Sequence, residues 1–157
     1  MITSMLEERN ILCFDPFYLP DGKSVPKKKY FIVLKNSKNQ NILASLPTRK
    51  DTVPSVYDDQ QGCISLHESD HGFDLVCYRI EANKQILENS NFFFDFPTHI
   101  YGTNLKLYPI EYFDLYPFQD IDYQILGKVK FNIFNEIIDC LKENKSVKRG
   151  YRELLKK

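Results

Sequence analysis

Between Gly22 and Lys50 the chain carries Lys23, Lys27, Lys28, Lys29, Lys35, Lys38, Arg49 and Lys50, with no acidic residue among them. Ammonium and guanidinium groups at this density suit the holding of phosphate oxygens, and the Thr48 hydroxyl adds a neutral donor beside Arg49 and Lys50. Phe17, Tyr18 and Tyr30 supply flat rings close by, of the kind on which single-stranded bases stack. The competing reading is a lysine-rich hairpin that keeps a sheet edge soluble.

Two further groups of residues carry chemistry. Cys63, His67, His71 and Cys77 form a C-x3-H-x3-H-x5-C pattern, enough thiolates and imidazoles for a tetrahedral zinc site. That spacing is not that of a standard finger or ribbon. The alternative is two packing cysteines on strands with histidines in a surface loop. His99, the third histidine, follows Pro97 and Thr98 on an expected strand. An imidazole there suits either a general base or a partly buried structural role. No P-loop, dinucleotide fingerprint, Ser-His-Asp spacing or close carboxylate pair is present, and neither a cofactor nor a bound metal is expected.

The elements that must position these residues read as follows. The apolar runs Ile11 to Phe14, Tyr30 to Leu34 and Ile42 to Leu46 are separated by the turns Leu19-Pro20-Asp21-Gly22 and Asn36 to Gln40. Short β-branched and aromatic runs bounded by Gly, Pro and Asn predict an antiparallel meander. In a meander the turn before Lys27 and the exit of the third strand share one end, so Lys27, Lys28, Lys29, Thr48 and Arg49 are expected to converge on one anion. Asp15-Pro16 is expected to end the first strand. Further strands are expected near Cys63 to Leu66, Phe73 to Ile80, Thr98 to Tyr101 and Leu105 to Phe113, with a helical turn at Ala82 to Glu88. Val129, Ile133, Ile137 and Leu141 recur every four residues from Lys128 onward, the buried stripe of an amphipathic helix. A second short helix, Val147 to Leu155, is expected to be interrupted at Gly150.

The 157 residues favour one domain, spanning 1–157. Residues 10–113 hold the strands, with a long insertion at about 54–97, and residues 128–157 hold the helices. The formal charge is zero, yet it is distributed in blocks: basic from Gly22 to Lys50, acidic from Asp51 to Ile100, basic again from Lys128. Local fields of either sign therefore survive the zero balance. No run nears the roughly 18 apolar residues of a membrane span, and the first residues lack the sections of a signal peptide. The reading is cytoplasmic, with Cys13, Cys63, Cys77 and Cys140 as free, mostly buried thiols.

Several of these segments, in order, resemble the MazF/PemK-like toxins. Ile11-Leu12-Cys13-Phe14-Asp15-Pro16-Phe17, then Asp21-Gly22-Lys23, then Lys29-Tyr30-Phe31-Ile32-Val33-Leu34 is similar to the family's opening. Ala44-Ser45-Leu46-Pro47-Thr48 is similar to its third strand and following hydroxyl residue. Ile125-Leu126-Gly127-Lys128-Val129 before the helix is similar to its close. The resemblance covers roughly 10–50 and 98–145. Lys29-Tyr30 stands where the family has Arg-Pro, keeping the charge and losing the bidentate fork. The middle, Pro54 to Pro97, is longer than the family's.

The resemblance implies a mainly β fold, a small SH3-like antiparallel barrel with a C-terminal helix. It implies a metal-independent endoribonuclease of a toxin–antitoxin system, with RNA as substrate, an antitoxin-like protein partner and a homodimeric state. Lys29 and Thr48 are then the catalytic residues, and Lys27, Lys28, Arg49, Lys50 and Tyr18 bind RNA. A non-enzymatic barrel that binds a protein partner is the alternative, since the family fold also hosts toxins that poison gyrase.

Overall fold

The run Phe31-Ile32-Val33-Leu34 has no polar alternation, so a strand made from it presents apolar side chains on both faces and needs cover on both. The computed structural model describes residues 2–46, 61–68 and 73–157. It places this run in the middle of an antiparallel sheet. After a short helix, α1 (Ile2–Met5), come β1 (Asn10–Phe17), β2 (Lys27–Ser37) and β3 (Gln40–Ser45). Then follow β4 (Gly62–Glu68), β5 (Phe73–Ile80), β6 (Thr98–Tyr101), β7 (Leu105–Tyr108) and β8 (Tyr123–Lys128). The chain closes with α2 (Phe131–Lys142) and α3 (Arg149–Leu155). One sheet has five strands in the order β7-β3-β2-β1-β8, and a second has three in the order β4-β5-β6.

The expected meander is present: β1 pairs antiparallel with β2, and β2 with β3. The mainly β class with C-terminal helices is likewise as expected. The barrel is not closed: the five-stranded sheet ends at β7 on one side and β8 on the other. In β2, Phe31 and Val33 are as completely buried as Ile32 and Leu34. The sheet lies between two separate cores, one under each face, rather than wrapping around a single interior.

The two faces have separate cores. On one, Ile11, Ile32, Leu34, Ile42 and Ala44 meet Tyr78, Ile80 and Ile100 of the second sheet and Ile133, Phe134, Ile137 and Leu141 of α2. On the other, Leu12, Phe14, Phe17, Phe31, Val33 and Leu43 meet Met5 and Leu6 near the N-terminus and Phe113 and Tyr116 in and just after a 3-10 segment, Ile110–Leu115. This second core is a ring cluster. Phe14 lies within 6.2 Å of Phe17, Phe31, Phe113, Tyr116 and Tyr123, centroid to centroid. Stacked, tilted and edge contacts of this kind add to the stabilisation from the area they bury.

Several boundaries differ from the sequence reading. β1 continues through Asp15 and Pro16, whose peptide bond is cis, and the ladder to β2 shifts register between Phe14 and Phe17. Pro16 has no N–H to give the ladder, and the irregularity absorbs it. Residues 82–88 form turns rather than a helical turn, with Leu87 making a single bridge to Val129. The expected strand to Phe113 stops at Tyr108 and becomes the 3-10 segment. β8, read in the sequence as the approach to the helix, pairs along β1 and bulges where Gly127 takes φ +148°. Val129 precedes α2, and α3 runs unbroken through Gly150.

The thiol reading also changes. Cys63 of β4 and Cys140 of α2 form a disulfide with Cα atoms 5.6 Å apart, while Cys13 and Cys77 are free and buried. The bond ties α2 to the three-stranded sheet, and the Tyr78 hydroxyl donates to Glu136 Oε1 at 2.8 Å beside it. At the other end of α2 the Arg9 guanidinium lies 4.1 Å over the Phe131 ring and donates to Val129 O and Glu88 Oε1. Strand Cys63 and helical Cys140 meet only because the second sheet packs under α2.

Two expectations follow. The disulfide spans 77 residues of sequence. Replacing both Cys63 and Cys140 by Ser should lower the unfolding free energy in urea by roughly 3–4 kcal/mol, through the freed unfolded chain. A loss under about 1 kcal/mol would show that the bond constrains little. The second concerns alkali. Burial pushes the Tyr116 phenol from its ordinary value of 10.0 to about 12, and burial also raises Tyr108. A group raised in the folded state stabilises fully below its unfolded value and loses that contribution as pH climbs. Stability should therefore fall between about pH 10 and 12, and Tyr116→Phe should flatten that part of the profile in pH-dependent denaturation. An identical profile for the variant would place Tyr116 in a wetter setting than the ring cluster.

Candidate nucleic-acid interface

The basic end of β2 is prepared by the turn before it. Leu19 O accepts from Gly22 N–H at 3.2 Å, with Gly22 at φ +68°, a left-handed conformation open to glycine at little cost. The Asp21 carboxylate then accepts from the backbone N–H groups of Lys23 and Ser24 and from the Ser24 hydroxyl, at 2.8, 3.0 and 2.6 Å. These bonds, the Ser24 hydroxyl first, pull its carboxyl down to about 2. The loop so held delivers the chain to Lys27, where β2 begins.

Pleating then separates the three lysines. Lys29 pairs with Phe14 and Lys27 with Phe17, so both lie on the ring-cluster face of the sheet. Lys28 takes the other face with Tyr30, 5.7 Å from that ring. Lys27 and Lys28 are exposed, and Lys29 is half-buried. Burial first, and the neighbouring Lys27 charge second, lower the Lys29 ammonium from its usual range. Lys28 moves the opposite way, raised chiefly by Tyr30. Of the three lysines expected to converge, Lys27 and Lys29 share a face and Lys28 takes the other.

The aromatic residues divide as sharply. Phe17 is fully buried against Phe31 and Tyr116 and offers no stacking face. Tyr30 is half-buried and packs on Phe92 and Phe94. Tyr18 remains 46% exposed, its ring on Tyr116 with centroids 6.1 Å apart. Its backbone is clamped from both sides: the N–H donates to the Tyr116 hydroxyl at 2.7 Å, and the carbonyl accepts from the Tyr112 hydroxyl. Tyr18 follows directly on Phe17, the cross-strand partner of Lys27, so its ring belongs to the Lys27–Lys29 end of the sheet.

Thr48, Arg49 and Lys50 lie outside the described residues. The chain leading to them is placed: Leu46 N–H donates to Tyr30 O at 2.9 Å, which sets the exit of β3 beside the start of β2.

The Cys/His group is not assembled. The Cys63 sulfur is committed to Cys140, and Cys63 and Cys77 pair with Tyr78 and Ile64, so they point to opposite faces of their sheet. His71 lies outside the described residues, and the described residues hold no cluster of three metal ligands. His99 is buried on β6, its ring stacked on Tyr101 at 5.9 Å, a structural position.

The sequence reading missed one feature. A surface pocket of about 210 Å³ opens on the Lys28 side of the sheet end, lined by Cys13, Asp15 and Lys28 and by the segment from Asp120 to Gln124. No sequence pattern links Asp15 to Asp120 and Asp122. Pairing of Cys13 with Gln124 across β1 and β8 brings them together.

No protein-family model, curated protein or solved structure matches this chain.

The opposed shifts of two adjacent lysines can be measured. In competitive trace acylation followed by mass spectrometry, Lys29 should reach half its maximal reactivity at a lower pH than Lys28, because its neutral amine is favoured by burial and by Lys27. The reverse order would mean that Lys29 is solvated as freely as its neighbours.

Proposed function

We propose that the chain binds single-stranded RNA at the end of β2, as a divergent toxin-like domain of the MazF/PemK kind. The observation that carries this is the pairing of Lys27 and Lys29 on one face, beside the exposed and backbone-clamped Tyr18 ring. Among the described residues neither lysine has an ion-pair partner, so both charges are available to phosphate oxygens. Tyr18 supplies the face for a base, and a ring held by a fixed backbone loses little freedom on stacking.

Cleavage is the finer part of the proposal. In metal-independent cleavage the RNA 2′-oxygen attacks the adjacent phosphorus, the bond to the 5′-oxygen breaks, and a proton passes from the first oxygen to the second. Lys29 suits one task there: as an ammonium it stabilises charge on the phosphate. Thr48 and Arg49 are assigned as further phosphate donors, with Lys28 and Lys50 guiding the strand by charge. An antitoxin-like partner, a homodimer and a cytoplasmic location belong to the same reading. In a reducing cytoplasm Cys63 and Cys140 would be held as thiols. No helix among the described residues is long and apolar enough to cross a membrane.

The test is anisotropy of a labelled single-stranded RNA across a salt series. Removing two phosphate contacts with Lys27→Ala and Lys29→Ala should reduce the slope of log affinity against log salt by about 1.4, and Tyr18→Ala should weaken binding with the slope unchanged. Cleavage is scored without added metal for wild type, Lys29→Ala and Thr48→Ala. An unchanged slope removes the phosphate assignment. RNA left intact by wild type, or cut equally fast by both variants, removes the catalytic one while binding stands.

A further inference from the structure

The most exposed apolar side chains beside the 210 Å³ pocket sit on one turn, residues 118–122, between the 3-10 segment and β8. Phe118 is 61% and Ile121 76% exposed, and Leu115 just before them is exposed as well. The turn is held by four hydrogen bonds. Phe118 N–H donates to Asp122 Oδ2 at 2.9 Å, and Phe118 O accepts from Ile121 and Asp122 N–H at 3.2 and 2.8 Å. Asp120, at φ +67°, donates its N–H to Tyr123 O at 2.6 Å. The next residue, Tyr123, is buried in the ring cluster opposite Phe14. Two large apolar groups are thus displayed to solvent by a braced backbone. Folding leaves them uncovered, and a braced display lowers the ordering cost of covering them later.

Ile121 also lines the pocket, so the apolar surface and the polar recess are continuous. Around the recess stand the carboxylates of Asp15, Asp120 and Asp122 against one ammonium, Lys28. That excess of negative charge decides what fits. Phosphate, an acidic peptide or an anionic membrane surface would meet three carboxylates. A purely apolar segment would bury carboxylates without partners, which is costly. A guanidinium or ammonium beside apolar side chains answers both features, and arginine's fork suits a carboxylate best.

We propose that this turn and pocket are a docking site for a basic, apolar segment of a partner protein. Its apolar side chains rest on Phe118 and Ile121, and an arginine or lysine enters among Asp15, Asp120 and Asp122. The site shares Lys28 with the proposed RNA path, whereas Lys27 and Lys29 lie on the other face of the sheet end, so a variant of that pair separates the two readings.

The test uses the full chain and a short fluorescein-labelled peptide alternating arginine and leucine, read by anisotropy and by amide-shift mapping. Shifts should centre on residues 115–124 and Asp15. Phe118→Ser with Ile121→Ser, and separately Asp15→Asn with Asp120→Asn, should each weaken binding about tenfold or more. All four side chains are exposed and none makes a side-chain hydrogen bond among the described residues, and circular dichroism checks that the variants fold. Lys27→Ala with Lys29→Ala should bind the peptide as wild type does. Equal affinity for a glutamate–leucine or an arginine–serine peptide would overturn the proposal, as would unchanged affinity in either double variant. A wild-type dimer in sedimentation that Phe118→Ser with Ile121→Ser dissolves would assign the face to a second copy instead. Single-stranded RNA producing the same shifts would assign it to nucleic acid.

Discussion

Burial of β2 on both faces is the constraint from which the rest of the architecture follows. Four consecutive side chains, Phe31 to Leu34, leave water completely. At roughly 1.5–3 kcal/mol for each large apolar side chain, this short run is a leading source of stability, provided that both covers exist. One cover is the second sheet with α2 and α3; the other is assembled from the N-terminal turn and the 3-10 segment. Neither cover is a single continuous element. Polar clasps hold the pieces: the buried Asn10 side chain donates to Ser4 O and Met5 O, and Asn36 donates to Leu6 O. Arg9 and the Cys63–Cys140 bond do the same for the ends of α2.

The same constraint places the charge. With the middle of β2 claimed by two cores, its lysines are confined to the strand ends, and there the pleat deals them to opposite faces. The result is an end of the sheet with two chemistries. On the ring-cluster side stand Lys27, Lys29 and Tyr18, basic and aromatic. On the other side Lys28 is met by the carboxylates that β1 and the approach to β8 bring beside it. A zero net charge in the sequence conceals this division, because each face is set by which strands pair and not by the sum.

The sequence by itself determined the elements whose signal is local. Runs of β-branched and aromatic residues between Gly, Pro and Asn marked β1, β2 and β3, since turn chemistry and strand propensity act within a few residues. The four-residue spacing of Ile133, Ile137 and Leu141 marked α2, since one helical face must be apolar to pack. The density of lysine at the start of β2 was equally plain. What only the tertiary structure decided depends on partners distant in the chain. That the sheet stays open between two cores depends on which distant segments cover Phe31 and Val33 on one face and Ile32 and Leu34 on the other, which no window of sequence records. Cys63 found Cys140 through the packing of α2 on β4, where spacing had suggested His67, His71 and Cys77 as its companions. Lys27, Lys28 and Lys29 are neighbours in sequence, and the strand period of two separates the middle one from the others. Asp15 and Asp122 are remote in sequence and share a pocket because β1 and β8 pair. Local propensity is written residue by residue, whereas a site is a product of register, and register is set by the burial of the whole sheet.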